Sequence, residues 1–223
     1  MMIRNCFLFL FLLLLTGSVY CQESDFGLWY EVNAKKALGK KFDIEASVMV
    51  RTFDNASKIE QAFFETGVTY DLNKYVGFAG SYRIGNYVED DYLYHIRHKW
   101  FADIKGSLPL KNFVLSARLR LQILKRIYIE DPSDKRAEYD GRLKLKGMYK
   151  IPNFPVDPYV SFETFSPVFR SSETFIEKSR STLGLEYKIS KKHLIDIEYI
   201  YQRDNSPHLK IMNIISLSYT FKF

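Results

Sequence analysis

The sequence predicts an all-β protein, an antiparallel up-and-down transmembrane β-barrel of about 10–12 strands. Three observations predict this fold. Apolar and polar residues alternate one by one along most of the chain, which is the period of a β-strand. The alternating segments are about 10 to 14 residues long, as tilted membrane crossings require, whereas most strands of soluble proteins have ~5–6 residues. Connections alternate between short turns, such as 73–74, and long polar ones, such as 130–136.

The composition agrees with alternation rather than with long apolar runs. The chain contains 18 Phe and 16 Tyr, yet its mean hydropathy is −0.20 and its formal net charge is +6. A soluble β-sandwich would bury the apolar set and expose the polar set, whereas a transmembrane barrel does the reverse. Aromatic residues near segment ends, such as Tyr70, Tyr75, Tyr149 and Tyr187, favour the barrel because aromatic girdles lie at membrane interfaces.

The first 21 residues have the features of a secretory signal peptide. Arg4 precedes a ten-residue apolar run at 6–15, and Val19 and Cys21 suit the −3 and −1 positions of a cleavage site. We therefore expect a cleaved signal peptide at 1–21 and one barrel domain at 22–223. The general secretory route would carry this domain to the outer membrane of a Gram-negative bacterium.

Cleavage after Cys21 would remove both cysteines, Cys6 and Cys21, and leave a chain without disulfides or thiol ligands. The alternative is that Cys21 is the lipidated first residue of the mature protein. Tyr20 argues against lipidation, because the position before a lipidated cysteine is normally small.

The alternation gives eleven segments when it is followed in order. They lie near residues 26–36, 41–53, 59–72, 75–87, 92–106, 112–127, 138–151, 158–168, 174–190, 192–204 and 209–223. The apolar positions of the second to fifth segments are typified by Ile44, Val48, Phe64, Val68, Phe78, Ile84, Ile96 and Trp100. Those of the later segments are typified by Leu115, Leu119, Leu143, Leu145, Val160, Phe162, Leu183, Leu185, Ile197, Tyr199, Ile215 and Leu217. Pro109 is expected to mark the turn after the fifth segment.

Eleven segments conflict with the even strand number of bacterial single-chain barrels. Either the first segment is not a full crossing, which gives ten strands, or a further strand exists, which gives twelve. Both alternatives are compatible with the sequence.

The carboxyl terminus, IISLSYTFKF, resembles the recognition signal of bacterial outer-membrane barrels. Tyr219, Phe221 and Phe223 alternate with polar residues and would present this signal to the barrel assembly machinery. The mature chain as a whole resembles an uncharacterised (domain-of-unknown-function) family of bacterial outer-membrane β-barrel proteins. The resemblance rests on a Trp-bearing first strand, FGLWYEV with Trp29, and on the aromatic-rich strand GSYRIG at 80–85. It implies fold and location and carries no established activity.

The polar sets, assigned to the lumen, segregate by charge. A basic wall comprises Arg97, Lys99, Arg118, Arg120, Arg142, Lys144 and Lys146. An acidic wall comprises Glu45, Glu65, Glu163, Asp196 and Glu198. One interpretation is a narrow barrel filled by structural ion pairs. The other is a small water-filled pore whose basic wall favours anions.

A membrane-embedded hydrolase or acyltransferase acting on lipid or peptide at the barrel rim is the alternative function. Among the histidines, His98 falls on the lipid-facing set and His193 and His208 lie at turns. This leaves His95 as the one plausible catalytic base. We expect no enzyme activity, because a lone histidine is more commonly a hydrogen-bonding residue.

No metal-ligand spacing, nucleotide fingerprint or cofactor motif is recognisable, so no metal site and no cofactor are predicted. Basic residues alternate with apolar ones along strands, which argues against nucleic acid as a partner. The expected partners are outer-membrane lipid and lipopolysaccharide. External cations could contact lipopolysaccharide phosphates, namely Lys135, Arg136, Arg170 and Lys178.

Overall fold

The computed structural model describes residues 24–88, 93–126, 137–169, 174–205 and 209–223. Eleven strands occupy these ranges. They are β1 (Ser24–Leu38), β2 (Phe42–Phe53), β3 (Lys58–Asp71), β4 (Val76–Val88), β5 (Tyr94–Leu110), β6 (Phe113–Arg126), β7 (Glu138–Tyr149), β8 (Val156–Val168), β9 (Lys178–Lys188), β10 (His193–Asp204) and β11 (Lys210–Lys222). The expected signal peptide and Cys21 lie outside the described residues, as do Lys135, Arg136, Arg170 and His208. Nowhere in the described ranges is there a helix long and apolar enough to cross a membrane.

The strands form one closed barrel, in which each strand pairs with its neighbours in sequence and β1 pairs with β11. The consecutive pairs are antiparallel, whereas β1 and β11 are parallel, from Ser24 opposite Ile211 to Lys35 opposite Lys222. The prediction of an up-and-down barrel is confirmed. The expectation of an even strand number is wrong, because β1 is a full strand and an odd number of alternating strands makes the first and last run the same way.

The start of β1 is attached to the β2–β3 connection. Asp54, Asn55 and Ala56 have positive φ angles of 53°, 55° and 63°, a conformation that Asp and Asn adopt more readily than most residues. The Asp25 carboxylate accepts hydrogen bonds from the Asp54 and Asn55 amides at 2.9 and 2.8 Å, and the Ala56 amide donates to the Phe26 carbonyl at 2.9 Å. These contacts hold the first residues of β1 in the barrel wall.

Apolar side chains cover the outside of the barrel and polar side chains fill the inside. Val32, Val160 and Leu183 on the outer face are each 59% exposed. Charged residues that alternate with such positions face the inside and are buried; Asp103 and Glu163, for example, are each only 5% exposed. This is the reverse of a soluble protein and defines a barrel that spans a lipid bilayer.

The two ends of the barrel have different connections. Short turns lie at 39–41, 72–75, 111–112, 150–155 and 189–192, which we call the short-turn rim. The opposite end carries the other connections, and we call it the long-loop end. Pro109, expected in a turn, instead lies one residue before the end of β5, a strand-end position where its missing N–H is tolerated.

Two inward-facing glycines make room for aromatic rings on the neighbouring strand. Gly85 lies opposite Phe63, and Gly184 lies opposite Tyr159. A Cβ atom on either glycine would overlap the facing aromatic side chain. This pairing of glycine with an aromatic residue is a known means of fixing strand register.

Gly184→Ala is expected to destabilise the barrel by about 1–3 kcal/mol, the usual cost of overpacking. A Cβ at this position would lie 2.6 Å from the Tyr159 hydroxyl oxygen, and that side chain is only 3% exposed. Urea unfolding in detergent micelles would measure the change. Gly80→Ala is the matched control, since its Cβ would meet only one carbonyl oxygen, at 4.0 Å. Equal stabilities for the two variants would contradict this packing.

Candidate functional site in the barrel lumen

A belt of alternating aromatic rings and arginines runs around the inside of the barrel. Its aromatic members are Trp29, Phe63, Phe101 and Phe165, and its arginines are Arg51, Arg83, Arg120, Arg142 and Arg180. Each guanidinium lies over at least one ring, at centroid distances from 3.8 to 5.1 Å. We refer to these nine residues as the arginine–aromatic belt.

Strand pairing explains how the belt forms. Trp29 lies directly opposite Arg51, and Arg142 lies directly opposite Phe165. The other contacts are diagonal ones between neighbouring strands, which long and aromatic side chains can make, except that Arg180 of β9 reaches Trp29 of β1 past β10 and β11. Planar guanidinium groups stack well on aromatic faces and remain charged there, so the belt places permanent positive charge inside the membrane.

Trp29 is seated on an apolar patch of the inner wall. Ile200 and Ile214 are buried at 4% and 0% exposure and pack with the Trp29 ring, with Met212 beside them. Arg51 and Arg180 lie over the same ring at 3.8 and 4.9 Å, although β2 and β9 are not neighbouring strands. Trp29 therefore links the two sides of the lumen.

Three belt arginines form salt bridges with carboxylates. Arg120 donates two hydrogen bonds to Asp103, at 2.6 and 2.7 Å, and this pair is almost fully buried. Arg83 donates to Glu65 at 2.7 and 2.5 Å, and Arg142 donates to Glu163 at 2.9 Å. Arg120 and Asp103 form a bidentate pair, since each Asp103 oxygen accepts one bond, and such pairs are strong and geometrically specific.

The other two belt arginines, Arg51 and Arg180, make no ion pair with any residue in the described part of the chain. The Nε atom of Arg51 donates to the Met49 sulfur at 3.0 Å, and Nε of Arg180 donates to the side-chain oxygen of Gln202 at 2.7 Å. Both guanidinium groups border open space in the lumen. Two guanidinium groups that border open space without a salt-bridge partner among the described residues offer a place for an anion from outside the chain.

The belt lies between two cavities in the lumen. The short-turn cavity has a volume of about 400 Å³ and the long-loop cavity about 440 Å³. Five belt residues line both cavities and so form the layer between them, namely Trp29, Arg51, Arg83, Arg142 and Arg180. Among the described residues, nine cationic side chains and five carboxylates line the long-loop cavity, and eight cationic side chains and six carboxylates line the short-turn cavity. Both cavities therefore carry a positive excess.

The structure places the residues of the predicted basic wall as follows. Arg118, Arg120, Arg142 and Lys144 line the short-turn cavity, and Arg97, Lys99 and Arg142 line the long-loop cavity. Lys146 lies with its ammonium 3.4 Å from the centre of the Tyr159 ring.

The predicted acidic wall lies partly among these cations. Glu45, Glu65, Glu163 and Glu198 line the short-turn cavity. Glu163 accepts from both Arg118 and Arg142, at 2.8 and 2.9 Å. The two walls are therefore joined by ion pairs at this point of the lumen.

Asp196 and Glu198 belong to a separate cluster around Tyr159. The Tyr159 hydroxyl lies 2.9 Å from both Asp196 oxygens and 2.6 Å from Glu198. A hydroxyl has one proton to donate, and the Lys146 ammonium over the same ring supplies the nearby positive charge. The cluster holds two carboxylates near the short-turn end.

The carboxyl-terminal aromatic residues form a group on the outer surface near the short-turn rim. The hydroxyl of Tyr219 lies 2.6 Å from Nδ1 of His193, and the Phe221 ring stacks between His193 and Phe223 at 5.1 and 5.2 Å. The Lys36 ammonium lies 5.6 Å from the centre of the Phe223 ring. His193 therefore orders the segment that carries the predicted assembly signal.

The histidine singled out for catalysis, His95, lies in β5 opposite Tyr87 of β4. His98 lies on the outer face, where its Nδ1 is 2.5 Å from the Tyr82 hydroxyl and its ring neighbours Trp100. Within the described residues no group of three or more His, Cys, Asp or Glu side chains could hold a metal ion.

The sequence prediction missed the belt as a unit. Neither Arg51, Arg83 nor Arg180 is among the predicted wall residues, and the inward rings Phe63 and Phe101 have no predicted role. One signal was present, because the inward positions of successive segments carry aromatic residues and arginines in turn.

The fold and the lumen define the class of this protein as a transmembrane β-barrel with an apolar outer surface and a charged interior. The chain belongs to the family described as "Protein of unknown function (DUF2490)", whose sequence model matches residues 26–213. The predicted membership of an uncharacterised outer-membrane barrel family is confirmed at this level.

Comparison with solved structures finds similarity to the beta domain of the Bordetella autotransporter BrkA, determined by crystallography. The identity is 12% and the TM-score is 0.47, over 80% of this chain and 78% of that one. Comparison with curated proteins gives no match.

Proposed function

We propose that this protein is an outer-membrane barrel that acts as a narrow, anion-selective pore rather than as an enzyme. The observation that carries the proposal is the pair Arg51 and Arg180, which have no carboxylate partner among the described residues and flank Trp29 between two polar cavities. A small anion entering either cavity meets two guanidinium groups that form no salt bridge with a described carboxylate. The belt is then the constriction that selects the ion.

The ion-pair interpretation and the pore interpretation are combined in this proposal. Arg120 with Asp103, and Arg83 with Glu65, are structural pairs that hold the wall of the constriction. Arg51 and Arg180 supply the selective charge. The division between arginines with and without a salt bridge to a described residue follows from their contacts and does not depend on the total charge of the lumen.

Location in the outer membrane of a Gram-negative bacterium is part of the proposal, as is export through the general secretory route. It is supported by the lipid-facing outer surface and by the terminal residues Tyr219, Phe221 and Phe223, which would be read by the barrel assembly machinery. Outer-membrane lipid and lipopolysaccharide are the proposed surroundings, and nucleic acid is not a proposed partner.

The proposal is tested by recording currents from the refolded full chain in planar bilayers with symmetric KCl. We expect discrete, ohmic channel openings, because the layer that separates the two cavities consists of side chains in the part of the chain that the structure describes. Heat-modifiable gel mobility would establish that the inserted protein is folded. Closed bilayers with folded protein inserted would overturn the pore.

A further inference from the structure

The five short turns carry a one-sided charge pattern. They contain seven lysines and no acidic residue, namely Lys40, Lys41, Lys74, Lys111, Lys150, Lys191 and Lys192. The connections at the long-loop end are, by sequence, mostly acidic, with nine Asp or Glu against three Lys or Arg in 54–57, 89–93, 127–137, 169–177 and 205–209. The barrel therefore has a marked charge asymmetry along its axis.

Aromatic side chains lie directly beside these lysines on the outer surface. The Lys41 ammonium lies 5.8 Å from the centre of the Tyr70 ring, and the Lys74 ammonium lies 4.7 Å from that of Tyr75. Phe42 packs on Tyr70 with ring centres 4.9 Å apart. Aromatic rings beside cationic side chains are the arrangement expected at the headgroup level of a membrane.

An apolar groove opens on the outer face close to two of these lysines. Small side chains on neighbouring strands create it. Gly147 of β7 lies between its cross-strand partners Leu115 and Val160, and Ala117 of β6 lies opposite Gly106 of β5. The groove has a volume of about 590 Å³. Its walls include the side chains of Leu108, Leu115, Leu145, Val160 and Phe162.

Lys111 and Lys150 lie beyond the end of this groove at adjacent turns. The Lys150 amide donates to the Asn112 carbonyl at 2.7 Å, which holds the two turns together, and both lysine residues are exposed. Between the lysines and the groove lies the pair Phe113 and Tyr149, with ring centres 4.8 Å apart. Going along the barrel from the turns, the surface is thus cationic, then aromatic, then an apolar groove.

We propose that this surface is a binding site for an anionic phospholipid of the membrane leaflet at the short-turn end. The headgroup phosphate lies against Lys111 and Lys150, and one acyl chain lies in the groove over Gly147 and Ala117. Charge complementarity selects the headgroup, since each lysine near an anionic lipid surface adds attraction. The site depends on the barrel spanning a membrane but not on conduction through the lumen.

Native mass spectrometry of delipidated full-length protein tests the site, with phosphatidylglycerol and phosphatidylcholine of the same acyl chains as probes. The wild type is expected to retain phosphatidylglycerol preferentially. Lys111→Gln with Lys150→Gln is expected to weaken retention of phosphatidylglycerol by about fivefold for each lysine removed. Lys40→Gln with Lys41→Gln removes the same charge from another short turn and is the matched control, which should bind as the wild type does.

A substitution in the groove distinguishes binding of a whole lipid, with its acyl chain in the groove, from binding of a phosphate group alone. Gly147→Val fills the groove from the outer face, where a Cβ would be 3.6 Å from a Leu115 methyl carbon, an ordinary contact. It is expected to reduce retention of both lipids while the lysines stay in place. Equal retention of the two lipids by the wild type would overturn the site, and so would wild-type retention by the Lys111/Lys150 variant. Unchanged binding in the Gly147 variant would overturn the acyl-chain position.

Discussion

Replacing both Arg51 and Arg180 by glutamate is expected to convert the pore from anion-selective to cation-selective. In the wild type these are the belt arginines without a carboxylate partner among the described residues, so their charge acts on a passing ion. The double substitution changes four charge units in the layer between the two cavities. A change of about tenfold in the chloride-to-potassium permeability ratio takes only about 1.4 kcal/mol of relative barrier. Reversal potentials under a KCl gradient would measure it.

A control for this result must change the same number of charge units at positions outside the lumen. Lys125→Glu with Arg203→Glu serves, because both residues are exposed on the outer face of the barrel. We expect its permeability ratio to remain that of the wild type. If this control shifted the ratio as far as the Arg51/Arg180 variant does, the selectivity would come from the general field of the protein rather than from the belt.

Asp103→Asn is expected to destabilise the barrel by about 3–5 kcal/mol, which is the cost of breaking a buried ion pair by removing one partner. The side chains of Asp103 and Arg120 are only 2% and 9% exposed, and two hydrogen bonds join them. The substitution keeps the shape of the side chain but leaves the Arg120 charge uncompensated. The free energy of unfolding, from urea titration in micelles, measures the loss.

The half-buried, more solvated ion pair of Lys35 with Asp43 provides the comparison for this prediction. Its atoms are 3.0 Å apart, and its side chains are 35% and 24% exposed. Solvated pairs contribute little, so Asp43→Asn should cost at most about 1 kcal/mol. Similar losses for Asp43→Asn and Asp103→Asn would mean that the Asp103 pair is well solvated and does not hold the belt in place.

Much of the fold could be predicted from the sequence because the alternation of apolar and polar residues that marks a β-strand is a local pattern. Strict alternation identified all eleven strands and placed residues such as Val160 outside and Glu163 inside. Whether the number of strands is odd or even could not be predicted from local alternation. The pairing of Ser24 with Ile211 and of Lys35 with Lys222 joins the two ends of the chain, and no local pattern reports a contact over that separation.

The candidate site was less predictable, for a physical reason. Which inward side chains meet depends on the stagger between strands, and this is set jointly by turn lengths and barrel closure. Arg118 and Arg120 belong to the predicted basic wall, yet both bind carboxylates, those of Glu163 and Asp103 respectively. Arg51 and Arg180 come from strands that are not neighbours, and they are distinguished by their shared contact with Trp29 and by the lack of an ion pair with a described residue.

The reversal potential of the wild-type protein in a planar bilayer with a KCl gradient tests the central claim most directly. If the arginine–aromatic belt selects anions, the reversal potential is shifted from zero towards the chloride equilibrium potential. It is shifted towards the potassium equilibrium potential when Arg51 and Arg180 are both glutamate. A wild-type reversal potential at zero or shifted towards the potassium equilibrium potential would contradict the claim.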